Sequence, residues 1–347
     1  MSIRIFAMLA AVLLIAGCAI HPVPEDVTGV NTTDIVKQIR CETRQALVDI
    51  IKEKLNDWAE KGSLEAEALL RKYEEEPDSI ADFHPRLLPG PRHVEIRREI
   101  ILFAETGVAY NFDLQMTENN DLTTDINLVK PITNPKFTLG INAGALRGRT
   151  NQRTFTTTDT FGYLVTRLNR RNRYNKHYCD GKIVISNYVY PIAGHVGVEK
   201  TIRTFVNLTV FGALGGPAAQ QGKGPPTLVD KLTFTTKVNV SATPKVEFSP
   251  VGDSFQLANA SVKGSVDRTD RHEVAIGLAI AGIGVSEVGA VRDFAFSPDR
   301  GPSDGRRVYS GLYQGERITG SGTPAERRAV QAIDQVKRRE LQLIPAQ

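Results

Sequence analysis

The chain has 347 residues, long enough for one large domain or two smaller ones. Its 43 basic and 39 acidic side chains leave a formal charge of +4 at pH 7, too mild a bias to argue for a nucleic-acid partner.

Met1 to Arg4 carries one positive charge, and Ile5 to Ile15 is an unbroken apolar run. A membrane-spanning helix needs about 20 such residues, so the run is too short for a permanent anchor and reads as the core of an export signal. Leu14-Ile15-Ala16-Gly17-Cys18 resembles the lipobox of bacterial lipoproteins. The resemblance implies that residues 1–17 are removed and that Cys18 becomes the lipid-modified N-terminus. Ala19 stands where lipoproteins retained at the inner membrane often carry Asp. By likeness to enterobacterial sorting, this points to the periplasmic face of the outer membrane. Each buried CH₂ of an acyl chain contributes about 0.8 kcal/mol, so several chains together hold firmly. The alternative is an ordinary secretory signal with a coincidental cysteine.

Residues 18–33, rich in Pro, Thr and Gly, read as a flexible tether. Thr33 can cap a helix and Asp34 suits its first turn. Ile35, Ile39, Ala46, Leu47, Ile50, Ile51, Leu55 and Trp58 then draw one apolar stripe. Gly62 ends that helix, and Ser63 can cap a second one that stops before Pro77, giving a helical segment over 34–76. The proline-rich stretch 77–93 reads as a linker.

From about residue 94 to 296 the period shifts to two, predicting a mainly β domain. Val108 to Met116 alternates most clearly, and Asn119-Asn120-Asp121 reads as a turn. Further short strands are expected at 122–128, 137–143, 161–165, 183–190, 232–240, 246–248, 255–257 and 274–280, as an antiparallel meander. Val198, Ile202, Phe205 and Val206 instead follow helical spacing, predicting a helix near 198–211. Residues 212–226 form a Gly/Pro loop. Ala275, Gly277, Ala279 and Ala281 leave one face of the last strand small, so something packs closely there. Residues 297–347 comprise a loop and a C-terminal helix. Thr323 and Glu326 form its capping box, Pro324 takes its first position, and Ala329, Val330, Ile333 and Val336 make its stripe. The fold class is α+β: an N-terminal helical pair, a largely antiparallel sheet or sandwich, and a C-terminal helix.

No CxxC, HExxH or GxSxG occurs. His177-Tyr178-Cys179 lacks a second ligand pair, and reads as a surface histidine beside a structural cysteine. Gly216 to Lys223 has one residue too many for a P-loop, and Gly224 stands where Ser or Thr would bind magnesium. Asp113 and Asp125 read as solvated residues of polar strand faces. No cofactor, metal or catalytic residue is therefore assigned. Cys41 and Cys179 either form a disulfide, worth on the order of 4–5 kcal/mol by loop entropy, or remain separate buried thiols. The basic tract Arg167, Arg170, Arg171, Arg173 and Lys176 either binds anionic groups, such as glycolipid phosphates or an acidic partner, or is a solvated loop.

The strings DIVKQIRCETRQALVDI, NPKFTLGINAGALRGRTNQRT and DKLTFTTKVNVSATPKVEF resemble an uncharacterised group of proteobacterial, especially rhizobial, envelope lipoproteins. The likeness spans most of residues 34–290 and implies no particular activity. The expected role is a lipid-anchored, non-catalytic envelope protein that binds or holds another envelope component. One alternative is a pore-forming or export-channel lipoprotein whose strands join an oligomeric outer-membrane barrel, because Val108 to Met116 has the length of a bilayer-crossing strand. Another is an enzyme whose site gathers His177, the arginines and carboxylates.

Overall fold

The computed structural model describes residues 22–24, 26, 29–130, 137–172, 174–181, 187, 190–212, 214–215, 225–247, 256–280 and 322–342. They form an α+β fold with two compact units. A helical unit comprises residues 32–113, 154–233 and 273–347, and a strand unit comprises residues 1–31, 114–153 and 234–272.

In the helical unit, α1 (Thr32–Glu60) buries Ile35, Ile39, Leu47 and Leu55 from the predicted stripe. Gly62 takes the left-handed φ of 82° that a side chain would resist, and Ser63 then caps α2 (Leu64–Glu75), its Oγ accepting from Ala66 N at 3.1 Å. The stretch 77–93 is not a linker. It folds into short 3₁₀ turns, Pro77–Asp82, Pro85–Leu87 and Pro91–His93, each begun by a proline whose fixed φ suits a first turn. Ile80, Phe83 and Leu88 between them are buried. Taken only as breakers, the prolines conceal the apolar residues they present.

Two segments expected as strands or their approach are helical: α3 (Val94–Ala104) and α4 (Phe161–Thr166). Short apolar runs do not separate the two periods. For α4 the deciding feature is Thr160, whose Oγ1 accepts from Tyr163 N at 3.3 Å as an N-cap. α5 (Val198–Phe211) lies where predicted. So does α6 (Pro324–Gln342), with its capping box in place: Thr323 N donates to Glu326 Oε2 at 2.6 Å, and Glu326 N to Thr323 Oγ1 at 3.2 Å.

The sheet contains β1 (Gly107–Lys130), β2 (Phe137–Thr160), β3 (Thr227–Ala242), β4 (Lys245–Glu247) and β5 (Gln256–Ala279). It is antiparallel, in the order β2-β1-β5-β3, and β4 pairs with β5 through Val246 opposite Ala260. The expected meander of short strands is thus replaced by strands as long as 24 residues. The residues taken for a turn, Asn119 to Asp121, lie inside β1. Their side chains find neighbours there: Asn120 Nδ2 donates to Glu118 Oε1 at 2.9 Å, and Thr123 Oγ1 donates to Asp121 Oδ1 at 3.2 Å. Local turn preference gives way to a continuous ladder. One register holds along the β1–β2 hairpin, bringing together Asn111 with Thr156, Thr117 with Thr150, Glu118 with Arg149, and Asn127 with Gly140. Most of the strand expected at 183–190 and most of the 212–226 loop lie outside the described residues.

Within the helical unit the sheet is covered on both faces. Val108, Tyr110 and Phe112 are wholly buried on one, where Phe112 stacks on Phe155 at 4.8 Å between ring centres. On the other, Ala109, Ala275 and Ala279 pack against Ala329 and Ile333 of α6. A β-carbon added at Gly277 would come within 2.5 Å of the Ala329 carbonyl oxygen, so the small face serves the close approach its composition predicted.

Candidate functional site

The helical unit is fastened by polar locks. Cys41 of α1 and Cys179 are joined by a disulfide, with Cα atoms 5.7 Å apart. Beside it, Arg40 donates from Nε and Nη2 to the two carboxylate oxygens of Asp159 at 2.8 and 2.7 Å, and from Nη1 to Tyr178 Oη at 3.0 Å. Arg40 and Asp159 are both buried. Burial opposes the Arg40 charge, yet the Asp159 carboxylate outweighs it and holds the pKa above the ordinary arginine range. Burial, reinforced by the Asp159 charge, pushes the Tyr110 hydroxyl up. Glu42 is also buried and accepts from the backbone N–H groups of Val196, Gly197 and Val198 at 3.0, 2.8 and 2.7 Å. It caps α5 from another helix, because Gly197 supplies no side chain there. Sequence spacing carries no signal for a cap provided from 154 residues away.

Arg170 and Arg171 are paired within the fold. Arg170 meets Asp82 at 2.9 Å and the Ala81 carbonyl at 3.1 Å, while Arg171 meets Asp78 at 2.8 Å. His177 Nε2 lies 3.4 Å from Asp78 and 2.9 Å from Arg171 Nε, so this histidine belongs to the same surface cluster. The backbone N–H of Arg167 closes α4, Lys176 is exposed, and Arg173 lies outside the described residues. The acidic 3₁₀ turn at Pro77–Asp82, expected as linker, thereby pairs with Arg170 and Arg171 of the basic tract expected either to bind anions or to be a solvated loop. Among the described residues no cluster of His, Cys, Asp or Glu is arranged to hold a metal. An apolar cavity of about 90 Å³ lies between Leu47, Leu55, Phe83, Ile96, Phe103 and Val206, away from the arginines and His177. It is smaller than the several hundred Å³ of a typical ligand pocket.

The strand unit differs. Side chains of β1 with even numbers, of β2 with odd numbers and of β3 and β5 with even numbers share one face, as the cross-strand contacts and the Val246–Ala260 pair require. That face carries Leu122, Ile126, Leu128, Leu139, Ile141, Val238, Val240, Val246 and Val266. Leu122 and Ile141 are each 48% exposed and Val240 62%. The opposite face carries Thr123, Asp125, Asn127, Gly140, Asn142, Lys237 and Lys263. The exposed alternation is therefore at 122–128, not at Val108 to Met116, whose apolar side chains are core. Monomeric soluble proteins rarely leave so continuous an apolar surface open. The edge strand β2 also runs without a charge over residues 138–146, where solvent-facing edges usually carry one. No described helix is long and apolar enough to cross a membrane.

Residues 22–26 lie on this unit. Asn151 Nδ2 donates to the Pro22 carbonyl at 2.9 Å, and Arg268 Nη2 to the Val23 carbonyl at 2.6 Å. Arg268 also pairs with Asp270 at 2.9 Å and Asp26 at 3.4 Å. Pro22, Pro24, Arg268 and Asp270 are buried. The stretch expected as a flexible tether is thus bound at residues 22–24 and 26, because Asn151 of β2, half-buried, and Arg268 of β5, buried, take up its carbonyls. Cys18 lies outside the described residues.

Among solved structures, the Salmonella SPI-1 type III secretion injectisome secretin InvG aligns over 54% of this chain and 69% of its own at 10% identity, with a TM-score of 0.17. A second InvG structure, residues 176 to the end in the open gate state, aligns over 61% and 73% with the same TM-score. Neither score describes a shared fold. The relative y4kA of Sinorhizobium fredii, an uncharacterised protein, is 32% identical over 97% of this chain and 95% of its own length. Residues 21–284 match the family described as uncharacterised protein y4kA. With three quarters of its length matching that family and a relative aligned from end to end, the chain belongs to the y4kA family.

Proposed function

We propose that this protein is a non-catalytic lipoprotein, lipidated at Cys18 and held at the periplasmic face of the outer membrane, whose four long strands enter that membrane as its share of an oligomeric barrel. The observation that carries the reading is the exposed apolar face of the strand unit, backed by a polar, glycine-bearing one. Residues 122–130 and 137–145 are nine residues each; at about 3.3 Å per residue and a tilt near 40° they cover about 23 Å, close to the roughly 25 Å apolar band of outer-membrane barrels. The disulfide supports an oxidising compartment.

The sheet order supports oligomers. Its outer strands, β2 and β3, run in opposite directions, so β3 of one copy can receive β2 of the next in antiparallel pairing. This contact is head-to-tail and closes as a ring, which removes both open edges. Four strands alone are too few to close a barrel.

The test is heat-dependent migration of the full-length protein, extracted from outer membranes, on a denaturing gel. An unheated, high-mass band that collapses to monomer on boiling is expected, together with labelled palmitate that disappears in Cys18→Ser. A monomer at every temperature, with residues 122–145 cut by protease added to intact envelopes and to vesicles alike, would exclude the barrel.

A further inference from the structure

Asn151, Arg268 and Asp270 lie on the apolar face of the strand unit, the same face as Leu139, Ile141 and Val266. Asn151 and Arg268 hold residues 22–24 and 26 through three hydrogen bonds, the one to Asp26 being also an ion pair, and Pro22 and Pro24 are buried. An N-terminal segment that served only as a spacer would need none of this. Arg268 is 8% exposed and Asp270 1%, so part of a buried charge pair is committed to fixing a few residues of chain.

The position of this clasp along the strands is informative. Asn151 is six residues from Ala145, the near end of the uncharged stretch of β2. At about 3.3 Å per residue and a tilt near 40°, the distance measured across a membrane is about 15 Å. Cys18 precedes Pro22 by four residue steps, whose fully extended reach is about 14 Å. Four residue steps are thus about enough to span that distance. Between them on the same face stand Arg147, exposed, and Arg149, paired to Glu118 at 2.6 Å. Arginine side chains at that level can reach phosphate headgroups while their stems lie on apolar surface.

We infer that the clasp is a depth gauge: it holds the lipidated N-terminus on the membrane-facing side of the strands, at the height where acyl chains from Cys18 and the apolar face of residues 122–130 and 137–145 enter one bilayer together. The partner is the acyl region of the periplasmic leaflet. This rests on the lipidation and barrel reading above. The gauge converts a nonspecific anchor into a positioned one, since a free tether of about 15 residues would let the sheet sit at many heights and orientations. Binding energy from the acyl chains then contributes directly to inserting the strands, as an intramolecular event at high effective concentration.

The experiment uses full-length lipidated protein in phosphatidylethanolamine/phosphatidylglycerol vesicles containing brominated acyl chains, with Trp58→Phe and Ile141→Trp placing one fluorophore on the apolar face. A ten-residue Gly/Ser insertion between Ile20 and His21 lengthens the chain ahead of the clasp and leaves the clasp intact. The same insertion between Gly29 and Val30 lies beyond it. We expect strong bromine quenching of the introduced indole in the parent and in the second insertion. In the first insertion and in Arg268→Ala, quenching should develop at least tenfold more slowly, although each protein still floats with vesicles. Equal rates in the parent and the first insertion would overturn the gauge and leave the barrel standing. No quenching in the parent would overturn the barrel, and the gauge with it.

Discussion

The helical unit and the strand unit solve the same problem of apolar side chains in opposite ways. In the helical unit the large apolar residues of the sheet are buried, and polar pairs fix how the helices lie: Cys41 with Cys179, Arg40 with Asp159, Glu42 with the start of α5. In the strand unit the alternation is equally regular but its apolar side faces out, and the polar devices, Arg268 with Asp270 and Asn151, hold residues 22–24 and 26 instead of a helix. A sheet lacking cover is costly in water, through apolar area left wet at about 25 cal/mol per Å². The contrast teaches that regular alternation identifies a strand with two unlike environments, and says nothing about whether the apolar one is protein or lipid.

The comparison can be broken hardest at the disulfide. Cys41→Ser with Cys179→Ser should destabilise the helical unit by about 4–5 kcal/mol from loop entropy, read as a lowered urea midpoint, with the clasp on residues 22–26 still protected from protease. Asp159→Ala should cost about 3–5 kcal/mol, because the Arg40 guanidinium is left buried without its carboxylate. Replacing both Arg40 and Asp159 with apolar residues of similar volume should recover most of that loss. If the single and double variants melt alike, desolvation of an unpaired charge is not the cause.

A pH effect is also expected in the helical unit. Burial, and secondly the nearby Glu326 charge, push the Glu105 carboxyl up to about 7. The folded state therefore keeps a proton that the unfolded chain gives up near pH 4.5, so this contribution is complete below about 4.5 and is lost as pH rises toward 7. The whole swing is on the order of 3 kcal/mol. Urea titrations at pH 5 and pH 8 should show it, and Glu105→Gln should flatten the difference. In the strand unit, Ile141→Arg should leave the urea midpoint of the helical unit unchanged while costing about 2–4 kcal/mol of membrane insertion, seen as loss of the heat-sensitive oligomer band. The smallest effect is Thr323→Ala, which removes half of the α6 capping box and should cost about 1 kcal/mol.

How much could be read from the sequence follows the range over which each signal acts. The α6 capping box, the Ser63 cap and the small face at Ala275 to Ala279 rest on neighbours three residues apart or on strict alternation, and they stand in the structure as expected. Asn119 to Asp121 misled because turn preference is local, whereas the extended strand sets Asn120 beside Glu118 and Asp121 beside Thr123, each two residues away on its own face. The proline stretch misled because proline spacing marks breaks in long helices, whereas the burial of Ile80, Phe83 and Leu88 depends on tertiary neighbours that no local spacing shows. For the candidate membrane face, the alternation itself was visible at Leu122 to Leu128 and Leu139 to Ile141. What was hidden was which length of strand lies uncovered, since that depends on where the helices stop. The clasp was invisible altogether: its partners are 129 and 245 residues apart in the chain.

The directions of the two marginal strands bear on stoichiometry. Because β2 and β3 point in opposite directions, each added copy leaves the polarity of the growing wall unchanged. A closed wall would accordingly hold strands in multiples of four, whatever the number of copies, and its girth would grow in steps of at least about 19 Å. Nothing in a single tile of this kind limits the diameter; the twist between neighbouring tiles does that. Counting strands in an imaged ring therefore counts copies directly.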